Sequence, residues 1–347
     1  VQDGSTSRRR FSPGSRRRCG CYYRCGRKGG TLTVAIEESK PSAKGGLRAY
    51  AMVAPNEGSA TTVQVQHTDE VTADTLYGTG RLLELAGYRD RPGLAITLNT
   101  RIPPQWGLGG AAAQLVALLY ALDAYFGHRR PPEEVAETVQ RATLRPGQAH
   151  GYQKPYGATF GGIRFYSFSR KLTGLWGRGT GGIYDEPYAT VSEARDAQWR
   201  ALSVRLVVAI PRELRLLSGE INAAIARRYL EEDRETVDAM DRKAFTALLA
   251  HQRLVNGDKN GFWTLVDADT NIMRQWGLIS DEHRRSMDLA KERGTFTSKP
   301  SSTGGAVIIY CPEGREGAMA EVLREVSAAV YVADIAEGAR LEPSWPF

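Results

Sequence analysis

Three glycine-rich segments contain the residues of this sequence that are best suited to binding phosphate. They are residues 102–114 (IPPQWGLGGAAAQ), 147–162 (GQAHGYQKPYGATFGG) and 297–305 (TSKPSSTGG). Glycine lets the backbone come close to a ligand, and the free N–H groups at the start of a helix attract anions. Because each segment enters or leaves regular structure, the three together predict an anion pocket with three walls.

Each segment adds groups with a definite chemistry. The glycines of the first segment are Gly107, Gly109 and Gly110. The second contains the cation Lys154 and also His150, whose side chain is suited to proton transfer near neutral pH. The third places Lys299 beside three hydroxyl residues, Ser301, Ser302 and Thr303. Two plainer interpretations stay open, because glycine turns also allow a strand to pack closely on a helix, and loop histidines often bond only to solvent.

The hydrophobic periodicity predicts the elements that position these segments. In the first half, strands are expected at 31–36, 61–66 and 94–99, with helices at 73–86, at 111–126 and from residue 131. In the second half, strands are expected at 204–210, 306–311 and 329–335, with helices at 219–230, 242–254, 281–293 and 313–327. This order predicts an α+β fold with a boundary between residues 190 and 200.

The charge distribution separates one basic end from a neutral body. The chain has 347 residues and a net charge of +7, but residues 1–30 alone carry nine Lys or Arg against one acid. The rest is close to neutral, which argues against nucleic acid as a partner. A solvated, flexible tail is expected at the basic end. No apolar run is long enough for a membrane helix or a signal peptide, so a cytoplasmic protein without a membrane partner is expected.

The four cysteines predict free thiols. Cys19, Cys21 and Cys25 form a C-x-C-x3-C cluster, and Cys311 lies far away in the sequence. A structural zinc ion needs four ligands, and no fourth Cys or His lies near the cluster. Reduced cysteines are the norm in a cytosolic protein.

The three segments resemble the motifs of the superfamily of galactokinase, homoserine, mevalonate and phosphomevalonate kinases. The resemblance rests on Pro103 followed by Gly-Leu-Gly at 107–109, on the pair Gly161 and Gly162, and on KPSSTGG at 299–305. It implies the GHMP-type two-domain α+β fold, with a ribosomal S5 domain 2-like N-terminal domain and a ferredoxin-like C-terminal domain. The implied divisions are a basic tail at 1–18, the N-terminal domain at 19–195 and the C-terminal domain at 196–347.

The sequence departs from the kinases at the positions where they do chemistry. The resemblance implies a metal-binding serine after Gly-Leu-Gly, an aspartate base before the closing glycine pair, and an upstream glutamate. The corresponding positions here hold Gly110 and Ala111, then Lys154, then Arg141 or Ala142. Phosphoryl transfer relies on metal ions and positioning. These changes therefore argue against an ordinary kinase mechanism and favour a site for more anionic ligands.

A non-kinase branch of the superfamily resembles this pattern better. It contains β-ribofuranosylaminobenzene 5'-phosphate synthase and the related C-nucleoside synthases of formycin- and pyrazofurin-type antibiotic pathways. Segments 26–39, 206–220 and 298–310 are similar to segments of that branch, although 206–220 also suits a strand followed by a helix cap. The resemblance implies a decarboxylating C-glycoside synthase, in which 5-phosphoribosyl 1-pyrophosphate (PRPP) loses pyrophosphate to a carboxylated ring carbon and CO2 then leaves.

This resemblance also implies roles for individual residues. The expected phosphate and pyrophosphate contacts are Gly107, Leu108, Gly109, Gly110, Ala111, Ser218, Ser301, Ser302 and Thr303. Lys154 and His150 are the expected catalytic residues, as counter-charge and proton-transfer group. Arg27, Lys28 and Lys299 are expected to bind the acceptor's carboxylates. Mg²⁺ is expected with PRPP, and its ligands stay unknown.

The expected partners are therefore small molecules: PRPP and an aromatic or pyrazole dicarboxylate. A homodimer is expected because two-fold dimers are the commonest oligomers. Two further hypotheses stay open. One is a divergent ATP-dependent kinase for a sugar or mevalonate-type alcohol, in which Lys154 takes over charge stabilisation. The other is an inactive homologue that binds or regulates.

Overall fold

The computed structural model describes residues 19–24, 26–29, 32–38, 48–56, 61–66, 73–91, 93–144, 151–167, 188–194, 196–213, 218–302 and 305–342. The elements of the first half are β1 (Cys19–Arg24), β2 (Gly26–Gly29), β3 (Leu32–Glu38), β4 (Arg48–Pro55), β5 (Thr62–Gln66), α1 (Ala73–Leu85), β6 (Leu94–Thr100), α2 (Gly110–Phe126), α3 (Pro132–Thr143), α4 (Gln153–Phe160), β7 (Ile163–Ser167) and β8 (Thr190–Ala194). Those of the second half are α5 (Asp196–Arg200), β9 (Val204–Ile210), α6 (Ser218–Leu230), α7 (Arg234–Val255), α8 (Lys259–Gln275), α9 (Asp281–Glu292), β10 (Thr297–Pro300), β11 (Val307–Pro312), α10 (Glu316–Arg324), β12 (Ala329–Ile335) and β13 (Arg340–Glu342).

A five-stranded sheet supports the helix that follows the first glycine segment. Its strand order is β13-β1-β4-β6-β5, and only β5 and β6 in this order run parallel. Helix α2 packs against β1 and β4 and also contacts α1, α3 and α4. Every residue from Ala112 to Leu119 is buried, as expected for a helix that is apolar on all sides. The N-terminal end of α2 is therefore held by a rigid core.

A second sheet takes strands from both halves of the chain. Its order is β10-β11-β9-β12-β3-β7-β8, with β2 paired to β3 at the side. Strands β9 and β11 are buried on both faces, because Val207 and Ile309 pack with residues of α9 and α10 while Leu206 and Ile308 join the main core. Helices cover both faces of these central strands, which explains their continuous apolar sequence.

The structure confirms the α+β class and most of the predicted elements, and it adds strands that were not predicted, such as β1, β4 and β7. Three further differences concern helices. Segment 147–162 is not one continuous loop, because it contains α4. The helix predicted at 242–254 begins at Arg234, because the Asp233 carboxylate accepts the Thr236 N–H at 3.1 Å and caps an earlier start. Helix α8 was not predicted, although the Asp258 carboxylate caps it through the Gly261 N–H at 2.9 Å.

The predicted division at residue 195 stays a prediction, and the second sheet crosses it. Strands β3, β7 and β8 precede residue 195, whereas β9 to β12 follow it. Within the described ranges, no helix is long and apolar enough to cross a membrane. The Cys311 thiol is free and buried, and burial raises its pKa to about 11.

Candidate functional site

The first glycine segment turns the chain from β6 into α2. The Ile102 N–H donates to Thr100 Oγ1 at 3.1 Å, which starts the turn. The backbone then takes positive φ values at Gln105, Gly107 and Gly109, of 65°, 70° and 81°. Glycine adopts this region without strain, whereas Gln105 does so at a cost. The sequence therefore needs glycine at 107 and 109 to reverse direction in so few residues.

The turn leaves the N-terminus of α2 without a cap. Gly109 is the N-cap residue, no side chain caps the helix, and its first turn contains no acid. The first helical bond joins the Ala113 N–H to the Gly109 carbonyl at 2.9 Å. The N–H groups of Gly110, Ala111 and Ala112 therefore have no acceptor within the helix. Together with the helix dipole, they form a site of positive potential suited to a phosphate group.

The third segment lies directly against this turn. Ser301 Oγ donates to the Gly107 carbonyl at 3.1 Å, and the Ala306 N–H donates to the Trp106 carbonyl at 3.0 Å. Within the segment, the Ser301 N–H bonds to Ala306 O at 2.7 Å and the Gly305 N–H bonds to Ser301 O at 2.8 Å. We call the described residues of this segment, 301–302 and 305–306, the serine loop. The first and third segments are therefore in contact, and their joint role as an anion site stays a prediction.

Two glycines make this close contact possible. A Cβ on Gly305 would lie 2.1 Å from the Trp106 carbonyl oxygen, which is far inside van der Waals distance. A Cβ on Gly107 would lie 3.1 Å from Ser301 O. Ser302 also adopts a positive φ of 50° where the two segments meet. Strained backbone of this kind is concentrated at functional sites in proteins.

The described part of the second segment is connected to the glycine turn by the packing of α4 on α2. Lys154 lies half-buried in the first turn of α4, and α4 packs on α2 and α3. The closing pair Gly161 and Gly162 packs against the C-terminal part of the chain instead. The Gly162 N–H donates to Ala336 O at 2.7 Å, and a Cβ on Gly161 would lie 2.0 Å from the Gly338 nitrogen. The third wall of the predicted pocket stays a prediction.

Lys299 has an internal partner. Its ammonium pairs with the Asp269 carboxylate on α8, and the second oxygen of that carboxylate pairs with Lys243 on α7. Both Lys299 and Asp269 are only 5% exposed. Burial by itself raises the pKa of the Asp269 carboxyl, but the two ammonium groups hold it well below its usual range. In the structure, Lys299 therefore anchors β10 to α8, and its predicted role toward an acceptor carboxylate stays a prediction.

The other predicted site residues are placed as follows. Leu108 is buried beneath the turn, and Ala111 lies in the first turn of α2. Ser218 is the first residue of α6, while Arg27 and Lys28 lie on β2; the structure describes the backbone of these three but not their side chains. His150 and Thr303 lie outside the described residues.

Two buried side chains near these segments were not predicted. His283, at the third position of α9, faces the Gly305 carbonyl with Nε2 at 2.6 Å. Glu137 on α3 accepts a hydrogen bond from the Tyr156 hydroxyl on α4 at 2.7 Å, and burial, together with this carboxylate, raises the pKa of Tyr156. The only sequence signal for His283 is its spacing from Ser280, which is typical of a capping box.

Comparison with known proteins identifies relatives of this chain. Residues 74–162 match the family model described as GHMP kinases N terminal domain. The chain is 25% identical over 289 residues to a mevalonate kinase of Methanothermobacter thermautotrophicus, covering 80% of this chain and 86% of the relative. It is 24% identical over 226 residues to glucuronokinase 1 of Arabidopsis thaliana, covering 63% of this chain and 58% of the relative.

A solved structure shares the fold. The L. major mevalonate kinase in complex with R-mevalonate aligns with a TM-score of 0.67 at 15% identity, covering 92% of this chain and 94% of that one. This agreement confirms the GHMP-type fold that the sequence resemblance implied. The chain therefore matches the GHMP kinases N terminal domain over residues 74–162 and shares the GHMP-type fold.

Proposed function

We propose that this chain is an ATP-dependent small-molecule kinase whose acceptor is a sugar, a sugar acid or a mevalonate-type alcohol. The names of the two sequence relatives, mevalonate kinase and glucuronokinase 1, support this class of acceptor. The sequence prediction put the PRPP-dependent synthase first and a divergent kinase second. The relatives support the second better, because those named above are kinases.

The observation that carries the proposal is the uncapped N-terminus of α2. Three N–H groups, those of Gly110, Ala111 and Ala112, have no acceptor within the helix, and no acid stands in the first turn to compete with a ligand. The serine loop holds the preceding turn through Ser301 Oγ. A preorganised set of donors of this kind binds a polyphosphate without reorganising.

In this proposal the chain's own residues bind and orient the reactants. The first-turn N–H groups hold phosphate oxygens of ATP. The acceptor hydroxyl oxygen forms a bond to the terminal phosphorus, and the bond between that phosphorus and ADP breaks. Positioning and charge stabilisation supply most of the catalysis of phosphoryl transfer. Lys154 compensates negative charge, and His150 is the group that we propose to accept the hydroxyl proton.

The residues at the turn do not fit a Mg²⁺ ion held by the protein. Mg²⁺ prefers carboxylate, phosphate and water oxygens. Gly110 and Ala111 have no side-chain oxygen, and the described part of the chain contains no group of three or more His, Cys, Asp or Glu arranged to hold a metal ion. Gly110 and Ala111 therefore offer Mg²⁺ no side-chain ligand at this turn.

A PRPP-dependent C-glycoside synthase is the second candidate. The observation that favours it is the loss of kinase chemistry at specific positions: Gly110 and Ala111 have no hydroxyl, and Lys154 stands where the resemblance places an aspartate. PRPP carries a pyrophosphate and a 5'-phosphate, so it also suits a site made of N–H donors. Both candidates require a polyphosphate at the same turn and differ in the rest of the ligand.

Calorimetric titration separates the two candidates. The purified chain is titrated with a non-hydrolysable ATP analogue and, separately, with PRPP, each with Mg²⁺. Binding of the ATP analogue alone, followed by phosphorylation of a mevalonate or sugar-acid acceptor with ATP, supports the kinase. Binding of PRPP alone overturns it in favour of the synthase. Binding of a ligand without any product in acceptor screens supports an inactive homologue.

A charge placed in the first turn tests where the polyphosphate binds. In Ala111→Asp, a carboxylate competes for the free N–H groups and repels the phosphates, so we expect the Kd for the bound polyphosphate to rise at least about tenfold. The same carboxylate interacts favourably with the helix dipole, so we expect the free energy of unfolding to rise by roughly 0.3–1 kcal/mol. The Tm should therefore not fall.

The matched control for this substitution is Ala111→Asn, which has nearly the same shape without the charge. We expect it to weaken binding much less than Ala111→Asp does. Equal binding by the wild type and Ala111→Asp would show that the polyphosphate does not bind at this helix end.

A further inference from the structure

We propose that His283 is a positioning residue that holds the serine loop against the glycine turn. This inference rests on the proposed polyphosphate-binding role of that turn. His283 belongs to α9, far from the turn in sequence, and lies outside the three glycine-rich segments. It is 4% exposed, so its ring is enclosed by protein.

Both ring nitrogens of His283 have partners. Nδ1 lies 3.2 Å from the Ser280 backbone nitrogen and 2.6 Å from Ser280 Oγ. Nε2 lies 2.6 Å from the Gly305 carbonyl oxygen. The ring therefore connects the N-cap of its own helix to the serine loop. This side-chain link between α9 and the serine loop carries the proposal.

These contacts determine where the ring proton lies. The Ser280 N–H is a donor, so Nδ1 must offer its lone pair. The Gly305 carbonyl is an acceptor, so Nε2 must carry the proton and donate it. The contacts thus fit a neutral imidazole with its proton on Nε2, and the hydrogen bond to Gly305 is a strong restraint because both groups are buried.

The restraint is passed on to the glycine turn through the backbone of the serine loop. The Gly305 N–H donates to Ser301 O at 2.8 Å, and Ser301 Oγ donates to the Gly107 carbonyl at 3.1 Å. The Ala306 N–H, next to Gly305, donates to the Trp106 carbonyl at 3.0 Å. A shift of Gly305 therefore moves the groups that fix Trp106 and Gly107.

A helix cap alone does not require this arrangement. The capping box of α9 uses only the Nδ1 side of the ring, and Glu or Gln at this position would complete it equally well. The Nε2 bond leaves the helix and reaches a residue 22 positions further along the chain. The second bond is what distinguishes a positioning role from a local structural one.

Three variants separate these two bonds. His283→Ala removes both of them. His283→Gln keeps an oxygen for the Ser280 N–H and an amide N–H for the Gly305 carbonyl. Ser280→Ala weakens the cap on the Nδ1 side and leaves the bond from Nε2 in place. His251→Gln is the matched control, because His251 is a half-buried histidine on α7 whose Nε2 lies 3.0 Å from Ser192 Oγ.

The first measurement is hydrogen–deuterium exchange of the peptides that contain residues 104–110 and 301–306, in the whole chain without ligand. We expect exchange at both peptides to be at least about fivefold faster in His283→Ala, as for the loss of one buried hydrogen bond. We expect His283→Gln to restore the wild-type rate. Ser280→Ala should speed exchange at the start of α9 only, and His251→Gln should leave both peptides unchanged.

The second measurement is the Kd of the same variants for the ATP analogue and for PRPP. For the ligand that binds, we expect the affinity to fall at least about fivefold in His283→Ala and to return to the wild-type value in His283→Gln.

Two outcomes overturn the inference: unchanged exchange at 301–306 in His283→Ala, or no recovery of the wild-type exchange rate in His283→Gln. If the wild type binds neither ligand, the proposed function fails, while the exchange rates still decide whether His283 holds the loop. If His283→Ala does not fold, His283→Glu decides it, because its ionised carboxylate keeps an acceptor for the Ser280 N–H but has no donor for the Gly305 carbonyl. Wild-type exchange at 301–306 in His283→Glu contradicts the role of the Nε2 bond.

Discussion

At the scale of single residues, Lys299 shows that a cation in a ligand-binding type of sequence can form a buried ion pair within the protein. Lys299 stands beside three hydroxyl residues, a setting that predicts a ligand-binding cation. The fold brings it to the Asp269 carboxylate, which Lys243 shares, and its role toward a ligand stays a prediction. Each buried charge lowers the free energy of the other, so removal of one leaves the other buried without a counter-charge, which is unfavourable.

Removing Asp269 should therefore be costly. In Asp269→Ala, the Lys299 ammonium stays buried without its counter-charge, and we expect a loss of roughly 3–5 kcal/mol in the free energy of unfolding. Lys243→Ala is the control, because it keeps the Lys299–Asp269 pair and removes a more exposed partner, so about 1 kcal/mol is expected. Denaturant unfolding measures both. Equal losses would contradict the assignment of Asp269 and Lys299 as the essential pair.

At the scale of elements, the glycine pair after α4 joins this helix to the C-terminal part of the chain. Gly161 ends α4 with φ 63° and ψ −164°, a region that is essentially restricted to glycine. It forms an isolated bridge with Glu337, and the Ala339 N–H donates to the Thr159 carbonyl at 3.2 Å. The pair that resembles a kinase motif thus has a structural role in this chain, because it lets two backbones touch.

The two glycines should differ sharply when they are replaced. In Gly161→Ala, the new Cβ would lie 2.0 Å from the Gly338 nitrogen, and the required backbone angles are also forbidden, so we expect a loss of more than about 3 kcal/mol in the free energy of unfolding. In Gly162→Ala, the nearest atom to the Cβ is Arg164 Nε at 3.9 Å, so the Cβ meets no clash. The positive φ alone should lower the free energy of unfolding by about 1–2 kcal/mol.

Thermal and denaturant unfolding of the two variants provides the comparison. If Gly161→Ala and Gly162→Ala lose the same stability, the close backbone approach at residue 161 is not what requires glycine there.

At the scale of the whole molecule, the second sheet links the two halves of the chain. Strand β12 pairs with β9 on one side and with β3 on the other, so strands from before residue 40 and after residue 300 share one ladder. Strand β13 then pairs with β1 of the first sheet. One contiguous core also contains residues from both halves, such as Leu118 and Val208.

This connectivity predicts a single unfolding transition. Separating the halves would expose β-strand edges and core residues at once, so neither half should remain folded without the other. We expect differential scanning calorimetry of the whole chain to give one peak, with calorimetric and van't Hoff enthalpies that agree. Two resolved transitions would instead show that the parts before and after residue 195 behave as independent domains.

The sequence by itself determined the local features of this protein. Among the described residues, periodicity identified most helices but fewer than half of the strands. The order of the glycine segments predicted the fold class and the turn at Gly107 and Gly109, because these signals depend on neighbouring residues. The sequence did not single out a helix at 259–275, although Asp258 caps its start, and it extended the loop before Gly161 too far. Its preference for a synthase rested on substituted motif positions, whereas the relatives support a kinase.

The tertiary structure alone decided which distant residues meet. Lys299 finds Asp269 on another helix, His283 finds the Gly305 carbonyl, and Gly161 meets Gly338. None of these pairs has a periodic signal, because each depends on the packing of elements that are far apart along the chain. The serine loop and the glycine turn lie in contact for the same reason, because the two sheets and their helices pack around a common core.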